Sequence, residues 1–104
     1  MAEDPVLFET SGTIAQVTLN RPDNRNSMDA ETMPAFNAAI DRVIADRDLR
    51  CVILTGSGAS FCAGADFRNQ YEGSGGPQLA NERLMSVYGP FLRIRHIEVP
   101  VIAA

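Results

Sequence analysis

Lysine is absent from this chain, and all nine basic residues are arginine. Two chemistries go with it, because a Schiff-base amine and the G-x-x-x-x-G-K-[ST] phosphate loop both require a lysine. Histidine occurs once, at His96, and the two cysteines, Cys51 and Cys62, form no C-x-x-C pair, so the usual donors for an all-protein zinc site are missing. Two cysteines are too few for a disulfide framework, and a reducing compartment keeps both as thiols. The G-x-S-x-G nucleophile elbow of ester and amide hydrolases occurs nowhere. No apolar run approaches the roughly 18 residues that span a bilayer, and the N-terminus, MAEDPVLFE, is acidic where a secretory leader is basic and then apolar. A cytoplasmic protein is expected. The arginines are scattered and the net charge is −4, so no footprint for nucleic acid or for an anionic membrane stands out. Low-complexity blocks and internal repeats are also absent.

What is present suits one small domain. A chain of 104 residues buries about 60–65% of its unfolded surface by size scaling. Residues 6–10 and 13–20 are short β-branched runs parted by Ser11-Gly12, and in the second Ala15, Val17 and Leu19 share an apolar face; a hairpin is expected. Asn20 to Asn26 is a polar turn broken by Pro22. Asp29 is placed to cap a helix over about 30–47, with Thr32 as the alternative cap because Pro34 would then fall in the first turn. Met33, Phe36, Ile40, Val43 and Ile44 recur at helical spacing and form its buried stripe.

Residues 51–54, CVIL, read as a strand buried on both faces in a parallel sheet. After the loop 57–64, a short helix is expected from about Asp66, then a loose segment, EGSGGP (72–77). A longer helix over about 79–97 follows, kinked at Gly89-Pro90. Leu84, Val87, Tyr88 and Phe91 form its buried side, with Leu92 and Ile94 as further candidates. The closing VPVIAA (99–104) reads as another buried strand. A buried parallel strand with no covering element after it is exposed to solvent, so the expectation is an N-terminal part of a longer single domain. The order β-β-α-β-α-α-β gives an α/β class.

The loop SGASFCAGADFRNQ (57–70) is where chemistry concentrates, and three readings compete for it. Gly56-Ser57-Gly58 begins like the dinucleotide fingerprint G-x-G-x-x-G, but Phe61 stands at the third glycine, where helix and strand must pack closely. Cys62 near a helix start could be a lowered-pKa thiol with His96 as base. Between Phe61 and Ala63, a small cysteine is more often a space-filler against the core. The third reading uses the main chain: Ala63-Gly64-Ala65 lets a ligand approach, and amides opening a helix have no intrahelical partner, so one of them can receive charge developing on a carbonyl oxygen.

TLNRPDNRNSMD (18–29), CVILTGSGASFCAGADFRNQ (51–70) and PVIAA (100–104), in this order and spacing, resemble the enoyl-CoA hydratase/isomerase (crotonase) family. The strand-TG-x-x-x-x-F-x-AG-x-D block is the specific part of the match. The resemblance implies a spiral of β-β-α units, an acyl-CoA thioester as substrate with no separate cofactor, and trimers or hexamers. It makes the backbone N–H of Ala65 one of two donors to the thioester oxygen. It also places Ala63, Gly64, Asp66 and Phe67 along the acyl-CoA site and Asn24, Arg25 and Ser27 on the CoA moiety.

Arg25 and Arg68 suit CoA phosphates, or are solvated surface arginines. Asp66 fits a helix cap better than a proton-transfer role. In the family the second donor comes from a glycine-rich segment after the PVIAA strand, and the catalytic carboxylates lie beyond it. The expected function is therefore acyl-CoA binding with one oxyanion donor, as part of an enzyme adding water to a 2-enoyl-CoA. The alternative is a non-catalytic acyl-CoA-binding or assembly fragment. Acyl-chain preference depends on pocket walls, for which Phe67, Tyr71 and Leu84 are candidates.

Overall fold

The structure, a computed structural model, describes residues 4–64 and 88–104. Strand β1 (Val6–Ser11) turns back through Gly12 and Thr13 into β2 (Ile14–Leu19), with Ser11 opposite Ile14 and Val6 opposite Leu19. Gly12 sits at φ +60, a conformation that glycine adopts without a Cβ penalty, so Ser11-Gly12 marks the hairpin as expected. Strand β3 (Cys51–Gly56) lies parallel to β2, and β4 (Val101–Ala103) parallel to β3, giving one sheet in the order β1-β2-β3-β4.

Helix α1 (Thr32–Ala45) covers one face of this sheet. Ala15, Val17 and Leu19 from β2 and Val52 and Leu54 from β3 meet Met33, Phe36, Ala39, Ile40 and Val43 from the helix in a single core, all 5% exposed or less. The stripe differs from expectation at one end: Ile44 is 46% exposed and Ala39 takes the inward place. The 3.6-residue period explains this, since Phe36, Ile40 and Val43 already define the inward direction and residue 44 lies a further 100° round the helix. The helix stops at Asp46, whose carboxylate accepts the Asp48 N–H at 3.0 Å and turns the chain away.

The opposite sheet face corrects two expectations. β3 is buried on the helix side, whereas Cys51, Ile53 and Thr55 are only half-buried, and Ile14 and Ile102 are exposed at 43% and 53%. In β4 only Val101 is partly buried. The physical reason is local: among the described residues, α1 covers one face only.

The end of the expected long helix is present. Residues 88–92 are helical through Gly89 and Pro90 and tighten into a 3-10 turn at Arg93–His96. Tyr88, Phe91 and Ile94 pack on the core, with the Phe91 ring stacked on Phe36 at 4.7 Å, whereas Leu92 is exposed. Arg93 ties this turn to α1 through Asn37 and through Asp41, the latter at 2.7 Å. The short helix from Asp66, the 72–77 segment, and the first part of the long helix with Leu84 and Val87 lie outside the described residues.

Candidate functional site

Two loops leave the same end of the sheet side by side. One follows β2 and runs through a 3-10 turn at Pro22–Asn24 to Met28; the other follows β3 over 57–64. Because β2 and β3 are parallel and in register from Ile14↔Cys51 to Leu19↔Gly56, both chains emerge together. In open α/β sheets ligands bind at such carboxyl ends of strands.

Main-chain bonds join the loops: Ser57 N–H to Leu19 O at 2.8 Å, Ala63 N–H to Arg25 O at 3.0 Å, and Met28 N–H to Gly64 O at 2.8 Å. Between these rungs lies Asn26, fully buried. Its Oδ1 accepts from the Arg21 N–H at 2.7 Å, and its Nδ2 donates to the carbonyls of Ser57 at 3.0 Å and Ser60 at 2.8 Å. A buried amide so satisfied avoids the penalty of an unpaired polar group. Arg25 and Asn26 both sit in the left-handed region, at φ 60 and 57, where a non-glycine residue costs of order 1–3 kcal/mol and is held by its surroundings.

The glycines belong to the same construction. A Cβ on Gly56 would stand 2.3 Å from the Phe61 carbonyl and 2.7 Å from Asn26 Nδ2, so the loop folds back closely over the end of β3. Gly64 differs: its φ of +92 requires glycine, yet no atom of the described residues lies within 4 Å of a Cβ built there.

The expected site residues are distributed unevenly. Ala63 is exposed and Gly64 half-buried beside it. Arg25 extends an exposed side chain from the turn. Asn24 is half-buried, its amide donating to Asp29 and its Oδ1 accepting from the Ser27 N–H, each at 3.3 Å, while Ser27 is only 8% exposed. Of these three turn residues, Arg25 is the one whose side chain is open to a charged ligand. Ala65, Asp66, Phe67 and Arg68 lie outside the described residues. Sequence reasoning passed over Asn26, between two residues it named. Its signal was the tolerance of asparagine for left-handed backbone in a polar turn, but its partners lie 31 and 34 positions away.

Asp29 positions the turn from below. Its carboxylate accepts from the N–H groups of Thr32 at 2.7 Å and Glu31 at 3.1 Å, and its carbonyl accepts from Met33, so it is the capping residue expected although the regular helix begins at Thr32. Burial pushes this carboxyl up, but the bonds from Thr32 and Glu31 and the charge of Arg21 outweigh it and hold it below the usual carboxylate range. A folded-state value below the unfolded one gives stability that is complete above the ordinary range and is lost as pH falls through the folded value. Asp29→Ala is accordingly expected to cost about 1 kcal/mol at neutral pH. The difference from the parent should shrink on acidification below the folded value, as measured by urea midpoints across that range.

Cys62 is a half-buried free thiol packed against the core beside Phe61. His96 is exposed and lines a groove of about 260 Å³ with Ile44, Asp46, Arg47 and Glu98, to which the 57–64 loop contributes nothing. A packing role predicts that Cys62→Ala retains turnover within a few-fold, checked by steady-state kinetics; a dead variant would restore the thiol.

Comparison with known proteins agrees with this fold. The family model for enoyl-CoA hydratase/isomerase matches residues 9–104. A protein of Mycobacterium tuberculosis named probable enoyl-CoA hydratase is 40% identical over 101 residues, which are 97% of this chain and 39% of the relative. The (E)-benzylidenesuccinyl-CoA hydratase of Thauera aromatica is 45% identical over 65 residues, 62% of this chain and 25% of that protein. The crystal structure of an enoyl-CoA hydratase/isomerase from Xanthobacter autotrophicus Py2 superposes with a TM-score of 0.84 at 35% identity, covering 96% of this chain and 38% of the other. The chain thus spans about two fifths of the length of such relatives. The match runs through both joined loops and every strand of the sheet, and by it the chain belongs to the enoyl-CoA hydratase/isomerase family.

Proposed function

We propose that this chain forms the acyl-CoA-binding half of a site that hydrates 2-enoyl-CoA thioesters, with the backbone N–H of Ala65 as one oxyanion donor. The observation that carries the reading is Gly64: a positive-φ residue without a side chain, with no described atom within 4 Å of a Cβ built on it and its carbonyl already occupied by the Met28 N–H. A thioester placed beside Gly64 meets a residue that has no side chain. A main-chain N–H donor costs little reorganisation during reaction and stabilises negative charge as it grows on the thioester oxygen, which is where such a donor has most effect. Arg25, exposed on the adjoining turn, is a partner for a CoA phosphate, and Arg68 a second. Ala63, Asp66 and Phe67 line the acyl portion, and Asn24 and Ser27 shape the turn under the CoA moiety. Water adds across the conjugated double bond, its hydroxyl to the β-carbon and a proton to the α-carbon, through an enolate held by the donors. No separate cofactor takes part, the protein works in the cytoplasm, and a homotrimer or hexamer is the expected assembly.

The test is incubation of the protein at its native length with crotonyl-CoA in ¹⁸O-labelled water. Loss of the enoyl absorbance with incorporation of one labelled oxygen supports hydration. Binding of crotonyl-CoA without turnover favours a non-catalytic acyl-CoA-binding protein, and absence of binding overturns the reading.

A further inference from the structure

Asn26 is better satisfied than a surface turn requires. Its side chain is fully buried, both hydrogens of Nδ2 are donated to carbonyls of the other loop, and its Oδ1 accepts from the main chain of its own. The rungs on either side, Arg25 with Ala63 and Met28 with Gly64, join the same two loops. The bridge goes with left-handed backbone at Arg25 and Asn26, which asparagine tolerates but which in Arg25 persists only where the surroundings enforce it.

We propose that Asn26 is a positioning residue for the reaction: by bridging the Arg21 N–H to the carbonyls of Ser57 and Ser60, it fixes the 57–64 loop on the 21–28 turn and so sets the direction of the amide that follows Gly64. This rests on the thioester reading above. The link from bridge to chemistry is the planarity of one peptide. The Gly64 carbonyl accepts the Met28 N–H at 2.8 Å, and the proposed donor belongs to the same planar peptide unit, so what fixes that carbonyl bears on the donor. If the loop shifts or the register loosens, that donor tilts off the thioester oxygen while the acyl-CoA contacts elsewhere persist. An aspartate carboxylate has no hydrogen to donate to the two carbonyls and a serine hydroxyl has one, and a Cβ at Gly56 would stand 2.7 Å from the same Nδ2.

The experiment compares Asn26→Ser, Asn26→Asp and Gly56→Ala with the parent protein at its native length. Val43→Ala, a core variant remote from both loops, controls for general loss of stability. Gly56→Ala presses from β3 on the same Nδ2 and on the Phe61 and Ser60 carbonyls of the loop it holds, so the test does not depend on one variant folding. Steady-state hydration of crotonyl-CoA gives kcat and KM, and infrared difference spectra of bound butyryl-CoA labelled with ¹³C at the thioester carbonyl report the hydrogen bond to that oxygen. Displacing a positioned group by about 1 Å can cost about 100-fold. The expected result is a kcat lowered by about that factor with KM within a few-fold, together with loss of the downshift of the carbonyl band, whereas Val43→Ala keeps both. Variants that melt earlier yet keep kcat and the shifted band would show Asn26 to be structural only and overturn the proposal. A parent protein whose bound thioester band is unshifted would instead overturn the thioester reading on which the proposal stands.

Discussion

Ala65→Pro is expected to lower kcat for enoyl-CoA hydration by about 100- to 1,000-fold, the usual cost of removing one oxyanion donor. Proline has no backbone N–H, so the substitution deletes the proposed donor and leaves a small apolar residue in place of another. Ala65→Gly, which keeps the N–H, is the matched control and should remain within a few-fold of the parent. The signature separates the donor from a mere binding contact: a group acting only in the transition state lowers kcat and kcat/KM together, while a ground-state contact raises KM. Parent-like turnover in Ala65→Pro would remove the main-chain mechanism. The contrast with Cys62→Ala sharpens the point, since the reactive-looking side chain of the loop is expected to be dispensable and a group with no side chain is not.

The parts of the fold that were legible in the sequence are those set by short-range periodicity. Alternation in β2 placed Ala15, Val17 and Leu19 inward, and helical spacing did the same for Met33, Phe36, Ile40 and Val43. Capping chemistry pointed to Asp29 from its position alone, and the carboxylate indeed receives the Thr32 and Glu31 N–H groups. Ile44 and Leu92 misled because an apolar letter next to a stripe says nothing of the angle at which the stripe faces its partner.

The site was legible as a block of small residues, and its joining was not. The family resemblance placed Asn24 and Ser27 on the CoA moiety, yet their groups are largely engaged within the turn. Asn26 carries the long-range contact because its amide can donate twice and accept once, a capacity that becomes visible only when the carbonyls of Ser57 and Ser60 are brought to it by the parallel pairing of β2 with β3.

That pairing rests on the core beneath it, and Phe36→Ala is the substitution expected to weaken the core most. The Phe36 ring is fully buried in α1 and lies parallel to the ring of Phe91, with centroids 4.7 Å apart and planes 7° from parallel. It therefore holds the helix to the sheet and the 88–92 segment to the helix with one side chain. Replacing a buried phenylalanine by alanine costs about 3–5 kcal/mol through lost transfer energy and the cavity left behind, and a stacked aromatic pair adds about 0.5–1.5 kcal/mol beyond area. Against a net stability of about 5–15 kcal/mol for a typical domain, this removes a large share. Phe36→Leu refills much of the volume and should recover more than half of the loss. The check is a denaturant titration of the protein at its native length, in which the midpoint falls while the slope is unchanged. Because Phe36 is a buried core residue outside the set proposed to meet the thioester, kcat per folded molecule should stay close to the parent at low temperature. A Phe36→Ala protein with parent stability would mean that the core closes on other contacts, and one with parent stability but low kcat would place Phe36 in the site.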